Sequence, residues 1–394
     1  MMAADRIADL EIDICPISGK TTWIFLRLRL TSGVTGLGEA TLYGLEAGVQ
    51  QKTLALAGSL RGLDIRAAIA LCEDRMLRAS DGVTQTVLSG LGQALLDARA
   101  RSLGVAAQEL LGGRRRAALP VYANINRGTQ DRSPEGWAAR ADAAVAEGFR
   151  ALKMAPFDGV TDTSLSAPGV ASRIDHGLAC IAAVRDAVGP GVAINIDCHA
   201  RFDDATARHV LREIGRHAPH WVEMPVAERP DRLGSARRLR GLANDLGFRL
   251  AGAELVFGLG AVRHMIEAGA YDVYMPDLRH CGGVFEALRI AGLVHSAGLE
   301  FSLHNPAGPL LDRISLAVAS VAPAVVMIEH QFREHPLHET LLTPAPVAPA
   351  AGMVDAPDGP GWGAGFKMAV LDGARGPLPD PVDHEGLPGA GPSS

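Results

Sequence analysis

Three acidic residues close three successive apolar runs: Asp197 in AINIDCH, Glu223 in HWVEMP and Glu254 in RLAGAEL. They stand 26 and then 31 residues apart, about one strand-plus-helix repeat each time. In a parallel barrel that spacing brings three carboxylates to one mouth, where their oxygens can hold a hard divalent cation. The donors are all oxygens, and no Cys or His pair has zinc spacing, so Mg²⁺ is the natural ion and Mn²⁺ the alternative. The bland reading, carboxylates at strand ends or helix caps, accounts for any one of them but poorly for three in consecutive repeats.

The next two runs end in Asp277 (PDLRHCGG) and His304 (SLHNPAGP). A carboxylate beside an imidazole orients it and raises its basicity, which makes a general base; a capping Asp and a satisfied core His are the alternative. An α-proton of a carboxylate is a very weak acid, so the enolate dianion left behind must be neutralised as it forms, and a divalent ion supplies that. His199 lies two residues beyond Asp197. Strand alternation places both on one face, where the imidazole can protonate a departing hydroxyl or can merely orient Asp197. Lys153 in LKM and Glu329 in MIEHQ close two further runs. Lys153 is the other base candidate; meeting a substrate carboxylate, balancing charge or a plain structural role are the alternatives. Asn126 and Arg127 follow the run VYANI, Arg201 follows His199 and Tyr43 lies in a loop of the first domain; all are candidate substrate contacts, with surface positions as the equal alternative, and Arg279 and His280 are similarly ambiguous.

The elements that must position these residues follow two rhythms. Up to about residue 118 the chain reads as a small α+β domain. The alternation of TTWIFLRLRLTSGVTGLGEA predicts an antiparallel hairpin turning near Ser32 and Gly33, and GLGQALLDARARSLGVAAQELLGG predicts a helix that stops at Gly112-Gly113. From 119 to 340, eight apolar runs alternate with helical stretches: VYANI, RALKMA, VAINIDC, HWVEMP, RLAGAE, DVYMPD, EFSLHN and VVMIEH. The first helix opens on Ser133 as cap and Pro134 at its first position. That pattern predicts a TIM-type (β/α)₈ barrel with polar residues at the C-terminal strand ends. Residues 341–394 are rich in Pro, Gly and Ala; GMVDAPDGPGWGAGF is expected to pack back on the first domain and GLPGAGPSS to be disordered.

Composition removes several classes. A net charge of −6 gives no basic field for nucleic acid or anionic membrane. Five scattered cysteines with no C-x-x-C pair argue for reduced thiols, and the acidic N-terminus and lack of a long apolar run argue against a leader or a span; a soluble cytoplasmic protein is expected. No P-loop and no G-x-G-x-x-G after a strand supports a nucleotide.

With GLGEA, the ALLDARARSLGVAAQELLGG helix, LKM, DCH, VEMP, AGAE, PDLRHCGG, LHNPAGP and IEHQ in order, most of the chain resembles the enolase superfamily, specifically its mandelate racemase-like branch. The resemblance implies an α+β cap on a modified (β/α)₇β barrel and a symmetric homo-oligomer, with an octamer as the expected assembly. It also implies that His199 resembles the acid of the D-x-H found in D-galactonate dehydratase-like and mannonate dehydratase-like members. Racemases of the branch carry K-x-K, whereas here the second position is Ala155, which speaks against two-base racemisation. Glu329 resembles a glutamate that hydrogen-bonds the substrate carboxylate or enolate when protonated; a structural partner for Lys153 is the alternative. The reading is a Mg²⁺-dependent hydro-lyase acting on aldonic or aldaric acids through a metal-stabilised enediolate, closest to the D-galactonate dehydratase-like group. A racemase, epimerase or lactone cycloisomerase on the same scaffold, or a non-catalytic ligand-binding barrel, are the alternatives.

Overall fold

A computed structural model describes residues 5–19, 21–160, 165 and 167–379. The chain opens with an antiparallel sheet, β1 (Ile7–Ser18), β2 (Thr21–Leu30) and β3 (Thr35–Glu39), in that order. The expected hairpin is β2–β3, turning at Gly33 with φ +89°. β1 is an element that its own acids hide: Asp9, Glu11 and Asp13 alternate with Leu10, Ile12 and Ile14, a period-two pattern. The side chains of β2 divide between two cores. Ile24, Leu26 and Leu28 pack with Val87, Leu91 and Leu95, while Trp23 and Phe25 join the barrel's core.

Four helices follow: α1 (Glu46–Leu60), α2 (Ile65–Met76), α3 (Gly82–Leu103) and the short α4 (Ala107–Leu110). The helix expected to run to Gly112-Gly113 breaks earlier, because Gly104 takes the left-handed conformation (φ +69°) and returns its N–H to Ala100 O. β3 lies almost backbone-on-backbone against α3. A Cβ at Gly38 would stand 2.0 Å from Gly90 O, so only glycine allows the approach that delivers Glu39 to the barrel.

The barrel strands are β4 (Ala118–Asn124), β5 (Ala151–Met154), β6 (Ala193–Asp197), β7 (Trp221–Glu223), β8 (Arg249–Gly252), β9 (Val273–Tyr274), β10 (Glu300–Phe301) and β11 (Ile328–Gln331). They pair in parallel from β4 through β10, β11 lies against β4, and the bridge Phe301–Val325 closes the ring. Seven helices join them: α5 (Pro134–Ala146), α6 (Val170–Val188), α7 (Asp204–Gly215), α8 (Leu233–Asp245), α9 (Gly258–Ala268), α10 (Gly283–Ser296) and α11 (Pro309–Val321). This is the (β/α)₇β arrangement. Ser133 caps α5 by accepting from Gly136 N at 3.1 Å, with Pro134 next, as expected. Tyr122, Trp221, Ala251 and Val273 of the strands form a buried cluster with Met275 and Met327 beside them, the Tyr122 and Trp221 rings edge-to-face at 5.5 Å.

After β11 the chain passes through α12 (Leu337–Thr340) and β12 (Leu342–Thr343); β13 (Met353–Asp355) adds antiparallel to β4, and β14 (Gly365–Phe366) and α13 (Met368–Ala374) follow. Trp362 donates its indole N–H to Leu37 O and Gln93 O, both at 3.2 Å, and the Phe366 ring lies 4.9 Å from Phe25. The terminal GLPGAGPSS lies outside the described residues. The five cysteines are all free and buried, and no described helix is long and apolar enough to cross a membrane.

Candidate active site

Asp197, Glu223, Glu254, Asp277 and His304 lie at or just beyond the C-terminal ends of barrel strands, Lys153 lies one residue before the end of β5 and Glu329 two before the end of β11. Register fixes the neighbours: Asp197 sits opposite Glu223 between β6 and β7, and an isolated parallel bridge joins Asp277 to His304. The backbone here is unusual. Of the eight described non-glycine residues with positive φ, four are at this mouth: His199, Ala200, Met224 and Ala253. Such conformations cost of order 1–3 kcal/mol each and gather where side chains must be aimed.

Lys153 is the hub of one side. Its ammonium is buried 3.2 Å from Glu223 Oε2, 3.2 Å from Glu329 Oε2 and 3.8 Å from Asp197 Oδ2. Burial disfavours its charge, but Glu223 and Glu329 outweigh that and raise its pKa well above the ordinary lysine value. It is a fixed cation here, not a free base. Glu223 titrates well above the usual carboxylate range because it is buried and faces Asp197, with Lys153 only partly compensating. Asp197 goes the other way. Burial is overcome by His199 and Lys153, so it stays ionised.

His199 reaches Asp197 differently from expectation. β6 ends at Asp197, so strand alternation does not apply; a left-handed turn (φ +48° at His199) folds the imidazole back. His199 N donates to Asp197 Oδ1 and Nε2 lies against Oδ2, both at 2.9 Å. Against burial, Asp197 raises the His199 pKa.

On the other side His304 is gripped at both nitrogens: Nδ1 is 2.9 Å from Asp277 Oδ2 and Nε2 is 3.0 Å from Glu254 Oε2. Asp277 only accepts, so Nδ1 carries the hydrogen. Burial opposes protonation of His304, but Glu254, Glu329 and the Asp277 bond raise its pKa. Asp277 is itself held well below the carboxylate range, the Arg279 guanidinium outweighing burial.

Glu329 accepts from Asn305 N at 3.0 Å, Asn124 Nδ2, Tyr122 OH at 3.3 Å and Lys153. Lys153 and His304 outweigh burial and lower its pKa. The protonated form needed to donate to a substrate carboxylate is not the one these surroundings favour, and partnership with Lys153 is what they build.

For a cation the decisive atoms are two buried carboxylate oxygens. Glu223 Oε2 and Glu254 Oε2 lie within ion-pair distance of Lys153 and His304, yet accept no hydrogen bond from the described residues. Glu223, Glu254 and His304 each offer a donor atom within 4.8 Å of the other two. Asp197 is outside that compact trio, its oxygens being turned to His199 and Lys153. The donors present therefore fit a hard dication.

Comparison with known proteins decides the lineage. Residues 136–370 match the model described as "Enolase C-terminal domain-like", and residues 14–112 match "Mandelate racemase / muconate lactonizing enzyme, N-terminal domain". The chain belongs to the enolase superfamily. A D-gluconate dehydratase from Thermoproteus tenax is 32% identical over 76% of this chain, an alignment spanning 58% of that protein's own length. A D-galactonate dehydratase from Xanthomonas campestris pv. campestris is 29% identical over 79% of each chain. The crystal structure of a mandelate racemase/muconate lactonizing enzyme from Jannaschia sp. CCS1 superposes with TM-score 0.82 at 27% identity, covering 95% of this chain and 98% of the other. Dehydratases are carbon–oxygen lyases.

Three of the four expected substrate contacts of this enolase-superfamily chain have partners within the protein. Arg127 donates to Thr21 Oγ1 at 3.0 Å and pairs with Glu334 at 3.4 Å. The Asn126 side chain accepts from Arg132 at 3.0 Å. Arg201 bonds Val160 O at 3.0 Å, though its charge is felt at His199. Tyr43 lies half-buried in the loop between β3 and α1. Residues the sequence reading passed over are Tyr122, Asn124 and Asn305, which hold Glu329. Tyr122 and Asn124 were findable, being polar residues two apart on an otherwise apolar strand.

Proposed function

We propose that this chain is a Mg²⁺-dependent acid-sugar dehydratase that converts aldonic acids, with aldaric acids next, into 2-keto-3-deoxy acids. The observation that carries the reading is His304, locked by Asp277 at Nδ1 while its Nε2 points at the Glu254 oxygen that would bind the cation. Asp197, Glu223 and Glu254 are the proposed ligands. Asp197 is preferred to His304 as the third because Mg²⁺ takes oxygen donors. Of the five carboxylates here, Lys153 pairs with Asp197, Glu223 and Glu329 and Arg279 with Asp277, while Glu254 faces His304. That excess of carboxylates over fixed cations suits a dication. When bound, it supplies neutralisation of the charge that develops on the substrate carboxylate.

His304 Nε2 takes the C2 proton while Asp277 holds its Nδ1–H. The electron pair left at C2 expels the C3 hydroxyl, and His199 gives that oxygen a proton so that it departs as water. The enol then tautomerises to the 2-keto-3-deoxy acid. Lys153 keeps Asp197, Glu223 and Glu329 together without taking part in proton transfer. Residues 1–118 and the returning segment after 340 act as the cap, residues 119–340 as the catalytic barrel, and the protein works as a soluble homo-oligomer.

The test is a screen of aldonic and aldaric acids with Mg²⁺, beginning with D-gluconate and D-galactonate, reading 2-keto-3-deoxy product. Turnover that disappears with chelator and returns with Mg²⁺ is expected. Racemised or epimerised substrate without keto product would overturn the dehydratase assignment.

A further inference from the structure

Arg279 is buried, and its guanidinium is committed in two directions. Nε donates to Asp277 Oδ1 at 2.9 Å and Nη2 to Asp277 Oδ2 at 2.6 Å, a planar two-pronged grip. The Arg279 backbone N–H adds a third bond to Oδ1 at 2.8 Å. Oδ1 is thereby filled from one residue, and the site Oδ2 has left is the one that meets His304 Nδ1. The remaining prong, Nη1, crosses to the cap and donates to Thr41 O at 3.0 Å.

Thr41 is itself tied down. Its hydroxyl accepts from Ile24 N at 3.1 Å and donates to Glu39 Oε1 at 2.8 Å. Glu39 then accepts from Gly308 N at 2.6 Å and Leu311 N at 2.8 Å. α11 starts at Pro309 behind a glycine and has no side-chain cap of its own, so a carboxylate 269 residues away supplies it. The cap thus touches the base from two sides: through Arg279 onto Asp277, and through Glu39 onto the loop His304–Gly308 that carries the imidazole.

We propose that Arg279 is the positioning residue of the Asp277–His304 pair, fixing the carboxylate plane so that one oxygen faces Nδ1 and anchoring that plane to the cap at Thr41. This rests on the reading of His304 as the base. Lysine cannot reproduce the planar grip but retains the charge, so the conservative change separates geometry from electrostatics.

The experiment has one arm without substrate and one with it, both on the full chain. The Asp277–His304 hydrogen bond gives a far-downfield imidazole N–H proton resonance, assigned by its loss in His304→Gln. It is expected to be present in the parent protein, weakened in Arg279→Lys and lost to exchange in Arg279→Met. In the second arm, with Mg²⁺ and the acid sugar the screen finds turned over, Arg279→Met is expected to lower kcat by roughly 10- to 100-fold with KM changed less than about twofold, and Arg279→Lys to recover part of the loss. The double variant Asp277→Asn/Arg279→Met removes both buried charges, avoids leaving either unpaired, and is expected to match Asp277→Asn alone, since Arg279 acts through Asp277. An unchanged resonance in Arg279→Met, or losses that simply add in the double variant, overturns the assignment. Retained turnover in His304→Gln overturns instead the reading of the base.

Discussion

His199 and His304 sit at the same barrel mouth, each against a carboxylate, and are held in different ways. His304 has a partner on each nitrogen and a side chain 13% exposed; behind it stand Asp277, Arg279 and the cap. Among the described residues His199 has Asp197 alone as side-chain partner; it rides on a left-handed turn and is 34% exposed. The difference fits two tasks. A base that takes a proton from carbon gains from rigid alignment, because near-attack geometry is most of what it can contribute. An acid that protonates a leaving hydroxyl must be recharged every cycle, and exposure to water makes that easy. Rigidity on one side and access on the other suit the base and the acid of the elimination proposed above.

Substitutions can break that contrast in order of size. His304→Asn removes the base and is expected to lower kcat by about 10³-fold or more, measured as keto-acid formation. His199→Asn, which leaves the base intact, is expected to cost about 10²-fold in dehydration; a loss as large as that of His304→Asn would mean that the two imidazoles act as one unit.

A third prediction concerns the cap. Burial pushes Glu39 up to about 7 from an ordinary 4.5, against the Leu311 and Gly308 N–H bonds, Thr41 and the nearby Arg279 charge. The folded protein therefore keeps a proton that the unfolded chain has released. The Glu39 contribution to stability is full below the unfolded value and is lost as pH rises through the folded one. The melting temperature of Glu39→Gln should accordingly fall less between about pH 5 and 8 than that of the parent, while the variant loses roughly 1 kcal/mol of capping; parallel pH curves would remove Glu39 as the titrating group. Smallest is Arg127→Ala. Its partners are Thr21 and Glu334 at the partly exposed rim, so a cost below about 1 kcal/mol and a kcat within about twofold are expected.

What was legible follows from locality. Each barrel strand announces itself as a short apolar run ended by one polar residue; Asp197 and Glu223 end β6 and β7 in place, and Glu329 stands two residues short of the end of β11. The run DVYMPD predicts a longer β9 than forms: the ladder stops at Tyr274 because Pro276 has no N–H to give, and Asp277 is met by a single bridge. His199 was found for the wrong reason, since the periodicity of a strand ends where a turn begins. The Glu39 cap of α11 and the Arg279–Thr41 bond join residues 269 and 238 positions apart. No spacing rule encodes a contact between two domains, just as none revealed that β13 would pair with β4.

The most direct measurement is deuterium uptake at C2 of the substrate in D₂O, with Mg²⁺ present, in the two histidine variants. His199→Asn should exchange C2 hydrogen at close to the parent rate of proton abstraction while forming little keto acid, and His304→Asn should do neither. Exchange in His304→Asn, or its absence in a well-folded His199→Asn, contradicts the assignment of base and acid.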